Sequence, residues 1–215
     1  MDKVFGLGLG KTGTTTLGYC LDKLGYKIHD GDISLVKPWV NGDMEIFDNL
    51  MKNYDAFEDE PWCFMYKELY HKYPNAKYIL TIRKNPNIWL RSKLNHSLNT
   101  SIRGRMNCAY YNYYCFGYQY VIDNEQKFID IYNKHNNDVT DYFRDKDNFI
   151  KLCWENGDGW NELCSFLNAD KPNVSFPIKK KSNYQNLDRL LRLIPKSPNK
   201  YLPDLDSVID YVENK

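Results

Sequence analysis

Residues 6–16 read Gly6-Leu7-Gly8-Leu9-Gly10-Lys11-Thr12-Gly13-Thr14-Thr15-Thr16, a mixture of glycines, one lysine and hydroxyls suited to holding an anion. Glycines permit tight bends, so backbone N–H groups converge with the first turn of a following helix and its positive dipole end. Lys11 adds a mobile charge, and Thr12, Thr14, Thr15 and Thr16 add donors without bulk. A second cation, Arg83, ends the apolar run Tyr78-Ile79-Leu80-Thr81-Ile82, and Ser92 follows it. A guanidinium offers a two-pronged fork to phosphate, and the hydroxyl a further donor. Glu58-Asp59-Glu60 stands ahead of Pro61, where Asp59 or Glu60 could cap a helix begun by Pro61.

The elements that position these residues follow from pattern. Val4-Phe5 reads as a strand before the loop, and Leu17, Leu21 and Leu24 recur at helical spacing before Gly25, a helix stop. Further strands are expected at 26–29, 55–57, 78–82 and 149–154, and helices at 47–54, from Pro61 to Tyr73, from Pro86 onward, at 124–143 and after Trp160. The tyrosine-rich stretch 110–120 has no clear period and suits either an acceptor pocket or lid, or a packed irregular helix. Strands alternating with helices, and basic residues at strand ends, imply an α/β fold. It is a parallel sheet of about 4–5 strands flanked by helices, with the ligand at the carboxyl ends of the strands. The tail holds Lys179-Lys180-Lys181, read as a solvated basic patch, and amphipathic segments at 187–194 and 205–212, giving a helical C-terminal part. Residues 1–215 read as one domain.

At 215 residues and 42% hydrophobic content the chain can bury a sizeable core, and a net charge of +1 gives no bulk attraction for nucleic acid. No run of 18 apolar residues appears, and the first strand begins close to Met1, so the chain reads as soluble and cytoplasmic. Cys20, Cys63, Cys108, Cys115, Cys153 and Cys164 lack C-x-x-C spacing and read as packed, reduced thiols, with no metal constellation among them.

Three anion loops compete for residues 6–16. A Walker A motif fails because its first glycine would fall on Phe5; a Rossmann fingerprint is met by Gly8, Gly10 and Gly13, with Asp30 or Asp32 placed for a ribose. The third, Lys11-Thr12-Gly13-Thr14-Thr15, resembles the phosphosulfate loop of sulfotransferases. The ordered set of this loop, Asp55-Ala56-Phe57 to Pro61, Tyr73-Pro74, Tyr78 to Arg83, Trp89, Ser92, His135-Asn136, Tyr142-Phe143 and Gly157-Asp158-Gly159-Trp160 resembles a small P-loop-like branch of that family over residues 3 to about 180.

The resemblance implies a donor, 3′-phosphoadenylyl sulfate (PAPS), with 3′-phosphoadenosine 5′-phosphate (PAP) as product and no metal. It implies binding by Gly10, Lys11, Thr12, Gly13, Thr14, Thr15 and Thr16 at the 5′ end and by Arg83 and Ser92 at the 3′-phosphate. Lys11 would assist the leaving phosphate. Asp59, where the family carries a histidine, would be the base, with Glu58 and Glu60 as alternates. The acceptor would be a small-molecule or glycan hydroxyl or amine. Thr16 stands where many sulfotransferases place an adenine-stacking tryptophan, leaving Trp160 as a substitute or a packing residue. His29 and His135 could approach a cleft, whereas His71 and His96 read as surface. Two other readings stand beside this one: an NAD(P)-binding oxidoreductase, and a non-catalytic module that binds PAP.

Overall fold

The computed structural model describes residues 2–98, 102–177 and 204–213. Lys179–Lys181 and the segment 187–194 lie outside them. Five short strands, β1 (Val4–Gly6), β2 (Ile28–His29), β3 (Ala56–Phe57), β4 (Lys77–Thr81) and β5 (Phe149–Leu152), form a parallel sheet in the order β2-β3-β1-β4-β5. The expected α/β class holds. The order departs from that of dinucleotide-binding Rossmann folds, in which the second strand lies directly beside the first; here β3 intervenes.

Helices cover both faces, as a parallel sheet requires. One face packs Phe5, Phe57, Trp62, Tyr78 and Phe143 in a mainly aromatic core; the other packs Val4, Leu17, Leu21, Ile79, Trp160 and Leu163. Each such fully buried side chain contributes about 1.5–3 kcal/mol. The sheet therefore fixes the ends of β1, β3 and β4, from which the loop, the carboxylates and Arg83 project.

The helices are α1 (Thr14–Lys23), α2 (Val36–Asn41), α3 (Glu45–Asn53), α4 (Tyr66–Lys72), α5 (Pro86–Leu98), α6 (Ile102–Phe116), α7 (Glu125–Tyr142), α8 (Trp160–Leu167) and α9 (Leu205–Glu213). Helix α5 starts where Asn85 Oδ1 accepts the Ile88 N–H, with Pro86 in the first turn. The single helix expected from Pro61 to Tyr73 is instead a 3₁₀ turn, Trp62–Phe64, followed by α4, and no side chain caps the turn. Asp59 has φ 69° and aims its carboxyl elsewhere.

The tyrosine-rich stretch as far as Phe116 belongs to a regular helix, α6. It lacks an apolar stripe because both sides are covered. Phe116 packs with Trp89 and Phe128, while Met106, Ala109 and Tyr110 pack with Val36 of α2 and Val208 of α9.

Candidate active site

The loop after β1 has its carbonyls held by side chains. His135 Nε2 lies 2.8 Å from the Leu7 carbonyl, the Thr12 hydroxyl donates to Leu9 O at 2.7 Å, and Trp89 Nε1 donates to Gly10 O at 2.9 Å. Arg83 Nε donates to Lys11 O at 2.7 Å and Trp154 Nε1 to Gly13 O at 3.2 Å. These bonds fix the carbonyls of a loop that leads into the N-terminus of α1, where the first N–H groups have no partner within the helix, the setting of an anion cradle. Gly13 is required twice over: its φ is 99°, and a Cβ there would lie 2.5 Å from the Trp154 ring. Gly13→Ala is therefore expected to cost about 1–3 kcal/mol in backbone strain alone, more once Trp154 is displaced. The check is Tm, at about 2–4 °C per kcal/mol for a chain of this size.

Loop, carboxylates and Arg83 meet in one cavity of about 260 Å³. Of the predicted residues, Gly10, Lys11, Gly13, Thr14, Thr15, Asp59, Arg83 and Ser92 line it, together with the alternate base Glu60. Thr12 does not: its buried hydroxyl is engaged with Leu9 O and, at 2.7 Å, with Thr81 Oγ1 beneath the loop. Thr16 is buried on α1, away from the cavity lining, and Glu58 is likewise buried outside it.

The two carboxylates of the cavity differ in charge state. Burial, then the neighbouring Glu60 charge and a hydrogen bond shared with it, push the Asp59 carboxyl well above the usual range. Burial alone would raise Glu60 too. Lys93, the bond to Asp59 and the Gly10 N–H, 3.0 Å from Glu60 Oε1, outweigh it and hold Glu60 below the usual range. Lys93 Nζ stands 3.9 Å from Glu60 Oε1 and 4.5 Å from the Phe116 ring centroid. Thr14 Oγ1 donates to Asp59 Oδ2 at 3.3 Å, joining the carboxyl to the first turn of α1.

Arg83 is a structural member of the loop as well as a cavity residue. Besides its bond to Lys11 O, one terminal nitrogen pairs with Glu155 Oε1 at 2.7 Å, and Glu155 Oε2 accepts the Lys84 N–H. The remaining guanidinium edge is the part available to a ligand.

Around the expected Ser92, sequence reasoning overlooked the rest of a stripe: Lys93, His96 and Ser97, on the same side of α5, also line the cavity. The i, i+4 recurrence of polar residues beside Trp89 and Leu94 was the available signal. His96 is exposed, as expected, and also borders the cavity. Cys108, Tyr111 and Asn112 of α6 close the opposite side, so this stretch does line a pocket. His29 borders a groove that continues from the cavity past Asp30, Gly31 and Tyr111. His135 is buried against the loop, and burial pushes its imidazole pKa down. Trp160 is a packing residue, 3% exposed against Phe176, and Gly157-Asp158-Gly159 is a strand-to-helix turn in which Asp158 accepts the Cys153 N–H.

Comparison with known proteins gives the family. The sulfotransferase domain model matches residues 3–184. The chain belongs to the sulfotransferase family. A relative, "Ava biosynthesis cluster protein M" of Aspergillus versicolor, is 28% identical over 210 residues, covering 81% of this chain and 79% of its own. The activity of this sulfotransferase is accordingly group transfer to a small-molecule acceptor. Among the described residues, no helix is long and apolar enough to cross a membrane, and no cluster of three or more His, Cys, Asp or Glu could hold a metal.

Proposed function

We propose that this sulfotransferase takes its sulfuryl group from PAPS and delivers it to the hydroxyl or amine of a small molecule. The observation that carries this reading is that Lys11, Thr14 and Thr15 at the start of α1, Arg83, Ser92 and the carboxyl of Asp59 all line one cavity. The residues fit a donor with two separate anionic groups. The first turn of α1 and Lys11 would hold the 5′ end, while Ser92 and the open edge of Arg83 would hold the 3′-phosphate. A Cβ at Gly10 would stand 2.7 Å from Asp59 Oδ1, so glycine keeps the space between cradle and carboxyl open. The name of the fungal relative, which refers to a biosynthesis cluster, supports a small-molecule acceptor.

When bound, PAPS supplies a sulfuryl group attached to a phosphate leaving group. Lys11 and the N–H groups of α1 would offset charge gathering on that phosphate. Asp59 in its ionised form would take the acceptor's proton as the new bond to sulfur forms and the bond from sulfur to the phosphate oxygen breaks. Glu60, held ionised by Lys93, would keep the proton affinity of Asp59 high.

The test is a thermal-shift titration with PAP, ATP and NAD. A ligand that binds only the folded chain at 100 times its Kd adds about 2.7 kcal/mol of stability. PAP is expected to raise Tm, ATP less, NAD not at all, and Lys11→Ala to remove the PAP response. Stabilisation by NAD in place of PAP would overturn the reading.

A further inference from the structure

A second, smaller cavity of about 50 Å³ opens beside the first, and Asn112 of α6 lines both. Its wall is mainly apolar, with Leu94 and Leu98 of α5, Ala109 of α6, and Val121 and Ile122 beyond it. Arg105 stands exposed at its rim and donates to the Leu98 carbonyl at 3.2 Å.

Asn112 is 2% exposed, and its Nδ2 donates to the Gln119 carbonyl at 3.1 Å, which fixes the amide and leaves Oδ1 as an acceptor. That Oδ1 is buried with no protein partner, and so is Nε2 of Gln119 in the same wall. A buried polar atom without a partner destabilises the fold, and leucine at 112 would suit an apolar wall better. One acceptor and one donor from residues of the same wall match a group that both donates and accepts, such as a hydroxyl or secondary amide.

We infer that the side cavity is a subsite for the non-reacting end of the acceptor. At about 10–15 Å³ per water-sized atom it has room for roughly three or four non-hydrogen atoms. The segment it takes is short and uncharged, with an apolar stem against Leu94, Leu98 and Ala109 and a hydroxyl or amide bonded to Asn112 Oδ1 and Gln119 Nε2. The inference rests on the reading of the main cavity as the transfer site.

Three phenols test it as probes: phenol itself, 4-propylphenol, and 4-(2-hydroxyethyl)phenol, whose side chain has the same length with a hydroxyl at its end. Binding to the full chain is measured calorimetrically in the presence of PAP. The hydroxyethyl compound is expected to bind wild type about fivefold tighter than 4-propylphenol, roughly one net hydrogen bond, and both tighter than phenol. Asn112→Leu should reverse the first preference, and Ala109→Leu, which fills the cavity, should erase both. Equal affinity of the three phenols for wild type, or preferences unmoved by folded variants, overturns the subsite. Failure of PAP itself to bind would sink the reading of the main cavity instead, and the control titration with PAP alone separates the two.

Discussion

Asp59→Asn is expected to lower turnover by about 10²–10⁴-fold and at the same time to make the folded chain more stable above neutral pH. The first effect follows from removing the proton acceptor at the cavity. Asparagine keeps the shape and the bond from Thr14, and it tolerates the left-handed backbone of residue 59, φ 69°, at least as well as aspartate. The second effect follows from linkage. Burial and Glu60 raise the Asp59 pKa in the folded chain, so above the unfolded value the folded chain retains a proton that the unfolded chain has released. Stability then falls as pH rises through that window, and asparagine removes the fall. For the same reason the acid limb of the wild-type rate profile should lie above the ordinary carboxylate range, since the ionised form does the work. The measurements are kcat against pH, and urea denaturation of both proteins at pH 5 and pH 8. A variant with wild-type turnover, or one less stable by the same amount at both pH values, contradicts the assignment.

Lys93→Met should destabilise the chain by about 3 kcal/mol at pH 7, the lower end of what breaking a buried ion pair costs. The side chains of Lys93 and Glu60 are only 10% and 9% exposed, so methionine would leave a carboxylate in poor solvent with no cation beside it, held only by hydrogen bonds from Asp59 and the Gly10 N–H. The sign of the pH dependence is opposite to that of Asp59. The Glu60 pKa is depressed in the folded chain, so its contribution is present above the unfolded value and is lost as pH falls through the folded one. The gap between variant and wild type should therefore narrow on acidification. Adding Glu60→Gln to Lys93→Met should recover most of the loss, because the uncompensated charge is gone. Chemical denaturation of the single and double variants is the check, and a double variant no better than Lys93→Met would rule out the pair as the cause.

What was legible in the sequence was local. The loop, its glycines and the cation ending β4 all sit within a strand-turn-helix unit whose chemistry is written in consecutive residues. The part of Lys93 in the site was missed for a different reason: α5 mixes Trp89 and Leu94 with polar residues on a helix that is part core and part cavity wall, so its two faces do not separate into an apolar and a solvated stripe. The period of α6 was hidden by burial on two sides. The partnership of Arg83 with Glu155 was beyond reach of spacing, since 72 residues and a whole crossover separate them. The bland reading of Asp59 as a helix cap was sound in pattern and failed because the chain after it turns in a short 3₁₀ segment that takes no side-chain cap.

The tied carbonyls of the anion loop have a consequence for how that loop unfolds. Four of their donors, from Trp89, Arg83, His135 and Trp154, come from residues 72 to 141 positions away in the chain. A loop held only by its neighbours could open alone, by a small local fluctuation. This one can release its carbonyls only by detaching side chains seated on α5, on α7, and at the ends of β4 and β5. Its opening free energy should thus approach that of the sheet, and its hydrogen-bonded amides, those of Gly10 and Thr12, should exchange with solvent hydrogen as slowly as those of β4, although glycine-rich surface loops ordinarily exchange among the fastest.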